Sequence, residues 1–172
     1  MTYIKTDYLV IGSGLGGLRA SLEISNKGKK VVLVTKRSLQ SGSSSLAQGG
    51  ISAVDSRRDD DSYQSHIDDT LVAADGVGDE DITSRFVEES YPEVIQYLEK
   101  QGVEFSTKEN GDPVLHQEGG YAKPRIYCVG DYTGRAITDI LTEKVREDPN
   151  ITIYEEHSAI DLITSQKQDW KS

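Results

Sequence analysis

The chain has 172 residues, with 29 acidic against 19 basic side chains and a formal net charge of −10. That surplus argues against a nucleic-acid role or a polybasic membrane role, because phosphates demand clustered Lys and Arg. The single cysteine, Cys128, excludes a disulfide within the chain and fits a reducing cytoplasm, and no apolar run approaches the roughly 20 residues that span a bilayer.

The length suffices for one domain with a real core, and the 35% hydrophobic content is gathered into compact runs. Met1–Lys5 leads straight into a strand-like segment, leaving no room for a signal peptide. The expectation is a soluble, acidic, cytoplasmic α/β domain.

Residues 6–36 read as one βαβ unit. Tyr8-Leu9-Val10-Ile11 is a short apolar run that stops at Gly12, the pattern of a buried parallel strand. Leu15, Leu18, Ala20 and Leu22 recur at helical spacing up to Asn26-Lys27-Gly28, where Gly28 suits a helix C-terminus. Val31-Val32-Leu33-Val34 is the second strand, and the intervening length is what a right-handed parallel crossover needs.

Between these strands, Gly12-Ser13-Gly14-Leu15-Gly16-Gly17 matches G-x-G-x-x-G, following a strand and opening a helix. Gly12 allows the tight turn, Gly14 lets a pyrophosphate approach the backbone, and Gly17 lets helix and strand pack closely. The helix N-terminus offers unpaired N–H groups and the positive end of its dipole. The acidic residue expected at the end of the second strand is replaced by Thr35-Lys36. A carboxylate contact to a ribose hydroxyl is therefore lost there, and Lys36 either meets the ribose or a phosphate or is simply exposed.

Residues 38–54 shift to Ser and Gly, which on composition alone also describes a linker. Around the start of the helical and loop segment 60–147, Asp59, Asp60, Asp61, His66, Asp68 and Asp69 are the one cluster that suggests a metal. The EF-hand pattern needs a Gly at its sixth position and a distal Glu, neither is in register, and no metal is expected. Asp81 to Gln101 is an amphipathic helix with Ile82, Phe86, Val87, Val94, Ile95 and Leu98 on one face, closed by Gly102. Pro92 should kink or split it. Phe86 and Tyr91 read as core packing.

Glu109 to Pro124 is a loop rich in Gly and Pro, and a helix follows from about Thr133 to Arg146. Strands are expected at Ile151–Tyr154 and at Ala159–Ile163, and 164–172 forms a polar tail. His66 and His116 each read as a lone histidine in a polar loop, with no catalytic role.

Several motifs in this order carry a resemblance. Ser43-Ser44-Ser45-Leu46-Ala47-Gln48-Gly49-Gly50-Ile51 follows the glycine fingerprint. Asp61-Ser62 with Ser65-His66-Ile67-Asp68-Asp69-Thr70-Leu71, then Gln117-Glu118-Gly119-Gly120, Arg125-Ile126, Asp131-Tyr132-Thr133-Gly134-Arg135 and His157-Ser158-Ala159 complete the series. Over nearly the whole chain this resembles the flavoprotein family of L-aspartate oxidase, succinate dehydrogenase and fumarate reductase. The resemblance implies an α/β fold: a Rossmann-like FAD-binding domain with a parallel sheet, incomplete, plus the start of an inserted capping region.

Two positions favour the aspartate oxidase branch. The respiratory members join the flavin covalently to a histidine five residues before the Gln of Ala-Gln-Gly-Gly; Ser43 stands there, which implies non-covalent FAD. Glu118 belongs to the Glu-Gly-Gly motif typical of aspartate oxidases, and a carboxylate there would pair with the substrate ammonium. Alone, Glu118 also reads as a solvated loop residue. Tyr121-Ala122-Lys123-Pro124 departs from the family's His-rich stretch, which leaves fine substrate preference open. Arg125 and Arg135 keep their places as natural partners of a dicarboxylate, and Arg135 equally suits a pair with Asp131.

The resemblance implies hydride transfer from the Cα of L-aspartate to FAD, giving iminoaspartate, with oxygen or fumarate as electron acceptor. This would feed quinolinate synthase in de novo NAD synthesis. The implied cofactor contacts are Gly12, Ser13, Gly14, Leu15, Gly16 and Gly17 at the pyrophosphate, and Lys36 nearby. Ser43, Ser44, Ser45, Leu46, Ala47, Gln48, Gly49 and Gly50 would lie around the isoalloxazine and ribityl chain, with Ser158 and Ala159 near the adenine. Enzymes of this family are several hundred residues longer. The chain thus resembles an N-terminal portion, 1–163, lacking the family's catalytic His and Arg residues and expected to have little activity alone. A dicarboxylate reductase and a non-catalytic FAD-binding module are the alternatives.

Overall fold

A computed structural model describes residues 3–164. The chain divides into two compact units, residues 1–45 with 141–172 and residues 46–140. The polar tail expected from Gln166 onward lies outside the described residues.

The first unit is built on a parallel sheet. β1 (Tyr8–Ile11), β2 (Val31–Val34) and β6 (Ile151–Tyr154) lie in the order β1-β2-β6. Tyr8 faces Val31 and Val31 faces Ile151, so the three strands run in register. α1 (Leu15–Asn26) connects β1 to β2 as the crossover. It ends where Gly28 takes φ +71°, and the amide of Gly28 donates to Ser25 O at 2.7 Å. Leu18, Leu22, Val31, Leu33, Leu141, Val145 and Ile151 are buried. β2 is covered on both faces, as its unbroken apolar run predicts. β1 differs from expectation: Leu9 and Ile11 are each 51% exposed, because β1 is an edge strand among the described residues.

The second unit holds a small antiparallel sheet, β3 (Ile51–Ser52), β5 (Ile126–Tyr127) and β4 (Leu115–His116), in the order β3-β5-β4. Around it stand α2 (Tyr63–Ala74), α3 (Glu80–Glu89) and α4 (Gln96–Gln101). α2 starts on a Ser62 hydroxyl that accepts from the Ser65 amide at 3.2 Å, and α3 on an Asp79 carboxylate that accepts from the Ile82 amide at 2.9 Å. Pro92 does split the long helix: Ser90–Ile95 forms a π turn between α3 and α4, consistent with a residue that has no N–H to offer. α5 (Thr133–Glu147) runs through the boundary between the units.

Three expectations are corrected. The helical face divides: Val87, Ile95 and Leu98 are buried, whereas Ile82, Val94 and Phe86 are exposed, Phe86 to 72%. The π turn changes the angular spacing along the helix, so one 3.6-residue stripe no longer describes it. Residues 159–163 form no strand, since no neighbouring strand among the described residues pairs with them, and Ile160 and Ile163 are exposed. His66 lies within α2 rather than in a loop and is 4% exposed. No helix among the described residues is long and apolar enough to cross a membrane.

Candidate functional site

In the first unit the glycine loop joins β1 to α1. Gly12 takes φ +104°, which a side chain would strain, and its amide donates to Val34 O at 2.8 Å. A Cβ on Gly17 would overlap the carbonyl oxygen of Gly12. Helix and loop therefore approach as closely as a dinucleotide fingerprint requires. Gly14 caps α1 with no side-chain acceptor, and Leu18 makes the first internal bond, back to Gly14 O at 3.0 Å. The amides of Leu15, Gly16 and Gly17 thus precede the hydrogen-bonded ladder. No acidic residue occupies the first turn, so no carboxylate there competes with an anion, although the Leu15 amide donates to the Ser44 hydroxyl. This arrangement fits a pyrophosphate.

Because the strands are parallel and in register, whatever follows each of them emerges at the same edge of the sheet. Gly12, Lys36 and Ser158 follow β1, β2 and β6 respectively, at the carboxyl ends where open α/β sheets take ligands. Lys36, Ser158 and Ala159 are exposed there. Ser13 is buried and its hydroxyl bonds that of Thr35 at 2.9 Å. Thr35 thus ties the glycine loop to the end of β2, the position where the fingerprint ordinarily carries an acid. The His157 amide donates to Thr35 O at 3.0 Å, which extends the same edge to the segment after β6.

Ser43–Leu46 is a 3-10 turn, so the Ser- and Gly-rich stretch is structured. The Ser44 hydroxyl accepts from the Leu15 amide at 3.2 Å, which brings this turn to the start of α1. Ser45 donates to Gln40 O and Gly42 O, both at 2.8 Å, and so fixes its own turn. Ser43 is exposed.

In the second unit the carbonyl of Ala47 accepts from the Gly134 amide at the start of α5, at 2.9 Å. A Cβ on Gly50 would overlap the carbonyl of Tyr127, so only glycine lets this segment lie on β5. A Cβ on Gly49 would stand 3.8 Å from Glu118 Oε1, which brings together two motifs that lie far apart in the sequence. Gln48 and Glu118 are exposed.

Of the two candidate arginines, Arg125 is not a free dicarboxylate partner. Arg125 is 1% exposed and bonds Asp61 through Nε at 2.7 Å and Nη2 at 2.8 Å, Asp69 through Nη1 at 2.7 Å, and the Ser65 hydroxyl at 3.0 Å. Two carboxylates neutralise it, as a buried guanidinium requires. Arg135 is exposed and lies 3.7 Å from Asp139, one helical turn on, rather than pairing with Asp131.

The network around Arg125 was not foreseen from the sequence, where Asp61 and Asp69 enter only as members of an acidic cluster weighed for a metal. One signal was available: Ser65 and Asp69 stand at i and i+4, so they share a face of α2. Beside them His66 packs edge-on to Tyr121 at 5.6 Å between ring centroids, and its Nδ1 has no hydrogen-bond partner. Burial, together with the positive charge of Arg125, holds the His66 imidazole below its usual pKa.

Comparison with known proteins bears on both halves. The chain is 43% identical to L-aspartate oxidase 1 of Ralstonia nicotianae over 164 residues, covering 94% of this chain and 30% of that protein. It is 43% identical to the chloroplastic L-aspartate oxidase of Arabidopsis thaliana over 160 residues, covering 93% of this chain and 24% of that one. Among solved structures, a quinol fumarate reductase of E. coli superposes with a TM-score of 0.86 at 28% identity, covering 94% of this chain and 27% of that chain. The chain thus spans less than a third of the length of these relatives. The FAD binding domain family matches residues 7–169. With that match over a parallel sheet and a glycine loop of this geometry, the chain belongs to the FAD binding domain family, and its cofactor is FAD.

Proposed function

We propose that the protein carrying this chain is an L-aspartate oxidase, and that the chain contributes the opening of its FAD site and one substrate contact. The observation that carries this reading is the position of the Glu118 carboxylate, exposed and beside Gly49 of the Ala-Gln-Gly-Gly segment. Aspartate differs from succinate by an ammonium group, and a carboxylate is its natural partner. The 43% identity to named L-aspartate oxidases supports the same choice over a fumarate reductase.

In this reading FAD, when bound, supplies the hydride acceptor for the substrate Cα. The amides at the start of α1, with Gly12, Ser13, Gly14, Leu15, Gly16 and Gly17, hold the pyrophosphate. Lys36 and the Ser158-Ala159 backbone serve the adenosine end. Ser43, Ser44, Ser45, Leu46, Ala47, Gln48, Gly49 and Gly50 line the ribityl chain and isoalloxazine. A serine hydroxyl at position 43 offers no nucleophilic imidazole for a covalent link, so FAD is held non-covalently. Glu118 orients the substrate by its ammonium group and disfavours dicarboxylates that lack one. The product is iminoaspartate, the acceptor is oxygen or fumarate, and the place of action is the cytoplasm, ahead of quinolinate synthase in NAD synthesis.

The test uses the full-length, FAD-loaded protein. Acid should release all the flavin from the chain; flavin that stays bound to the denatured protein would overturn the role given to Ser43. Turnover should require L-aspartate, and Glu118→Gln should lower kcat/KM for aspartate about 10-fold or more, the scale of a charge-assisted bond. Equal turnover of succinate, or an E118Q variant that matches the wild type, would defeat the substrate assignment.

A further inference from the structure

Glu118 sits in the loop of residues 117–125 that joins β4 to β5, and that loop has little packing of its own. Residues 116–120 are all exposed. Its shape comes from hydrogen bonds. The Tyr121 amide donates to Glu118 O at 3.2 Å, closing a turn whose third residue, Gly120, takes φ +90°, as a type II turn demands. Gln117 Nε2 donates to Tyr121 O at 2.6 Å and the Arg125 amide to His116 O at 3.1 Å. These bonds fix the turn within itself. They do not fix where it stands.

That second task is shared by the Tyr121 ring, packed edge-on against His66, and by one carboxylate oxygen. Asp69 Oδ2 accepts from the Ala122 amide at 2.8 Å and from Arg125 Nη1 at 2.7 Å. The first bond grips the loop directly after the Glu118 turn, and the second grips the last loop residue before β5. Arg125 is in turn held by both oxygens of Asp61 and by Ser65, and its guanidinium lies 5.3 Å from the centroid of the Tyr121 ring. Asp61, Ser65 and Asp69 all belong to α2 or its N-terminal approach, so a helix locates the loop through a buried fork. The donation from Ala122, and then that from Arg125, hold the Asp69 carboxyl below its usual pKa.

We infer that Asp69 and Arg125 are positioning residues that set the place of Glu118 and so tune the preference for an ammonium-bearing substrate. The inference rests on the substrate role proposed for Glu118. A loop loosened at Asp69 keeps its carboxylate but spreads it over many positions, and a charge-assisted contact depends on its geometry. Asp69→Asn takes the negative charge from the oxygen that both donors share, weakening two charge-assisted bonds, and removes half of the charge that balances Arg125.

The experiment is a double-mutant cycle on the full-length, FAD-loaded protein with Glu118→Gln, Asp69→Asn and the pair. Two quantities are read: kcat/KM for L-aspartate, and amide hydrogen exchange across 117–124. E118Q and D69N should each lower kcat/KM about 10-fold, chiefly through KM, and the double variant should be no worse than the poorer single one. Exchange across 117–124 should rise in D69N and stay unchanged in E118Q. Losses that multiply in the double variant, or unaltered exchange in D69N, overturn the positioning role while leaving the Glu118 assignment intact. An E118Q variant without effect overturns both. If D69N does not accumulate as folded protein, Asp69→Glu, which keeps the charge and moves it by one methylene, is read in the same cycle.

Discussion

Gly17 and Gly16 are neighbours in α1 with opposite tolerances. A Cβ on Gly17 meets the backbone of the preceding turn, which cannot move aside as a flexible side chain would. Gly17→Ala should therefore cost at least about 1–3 kcal/mol, the scale of overpacking, and lower FAD retention, read by thermal unfolding and flavin absorbance. At Gly16 nothing lies within 4 Å, so Gly16→Ala should leave stability unchanged or raise it by up to about 1 kcal/mol through helix propensity. Gly17 is the third glycine of the fingerprint and Gly16 fills one of its x positions, and the packing around the two differs accordingly. His66 offers a second residue-scale test. Its folded pKa lies below the unfolded value of about 6.5, so its contribution to stability is present above that pH and declines as the pH falls through the folded pKa. The unfolding midpoint should drop as the pH falls below about 6.5, and a His66→Gln variant should show a flatter profile there. Asp69, with its pKa lowered, contributes above about pH 4 and loses that contribution as the pH falls further, so its loss begins at a lower pH than that of His66.

Elements follow the same logic one level up. Asp79→Ala removes the acceptor for the Ile82 amide and should cost about 1 kcal/mol, read from the urea midpoint, with Ser62→Ala behaving alike at α2. What was legible in the sequence at this scale depends on length and neighbours. β1, β2 and β6 fall where their four-residue apolar runs predict, and α1 and α5 carry clear helical periodicity. β3, β4 and β5 span two residues each, too few to display an alternation. Ala159–Ile163 has the composition of a strand, but a strand is a relation to a neighbour, which composition does not encode. The Arg125 site was hidden for a related reason. Its three acceptor residues reach it from α2 and the segment just before it, 56 to 64 positions earlier in the chain, and no local pattern announces that an arginine in a Gly- and Pro-rich loop will be buried. The glycine loop was readable because its logic is local: turn, close approach and helix start all fall within six residues.

At the scale of the whole molecule, a net charge of −10 does nothing to attract an anionic cofactor or a dicarboxylate, so attraction has to be local. The start of α1 meets that need with backbone dipoles in a turn that carries no acidic side chain. The same charge acts differently on β1. Among the described residues that strand has no partner on its outer side, and Tyr8, Leu9 and Ile11 are each about half exposed. An open apolar edge is a template for adding another chain. Mutual repulsion between acidic copies opposes that encounter, but it is screened over about 8 Å at physiological ionic strength. Light scattering from the purified 172-residue chain should therefore rise with added salt, and Leu9→Lys should suppress the rise without lowering the unfolding midpoint. On the bench, the shelf life of such a preparation would be governed by its electrolyte as much as by its fold.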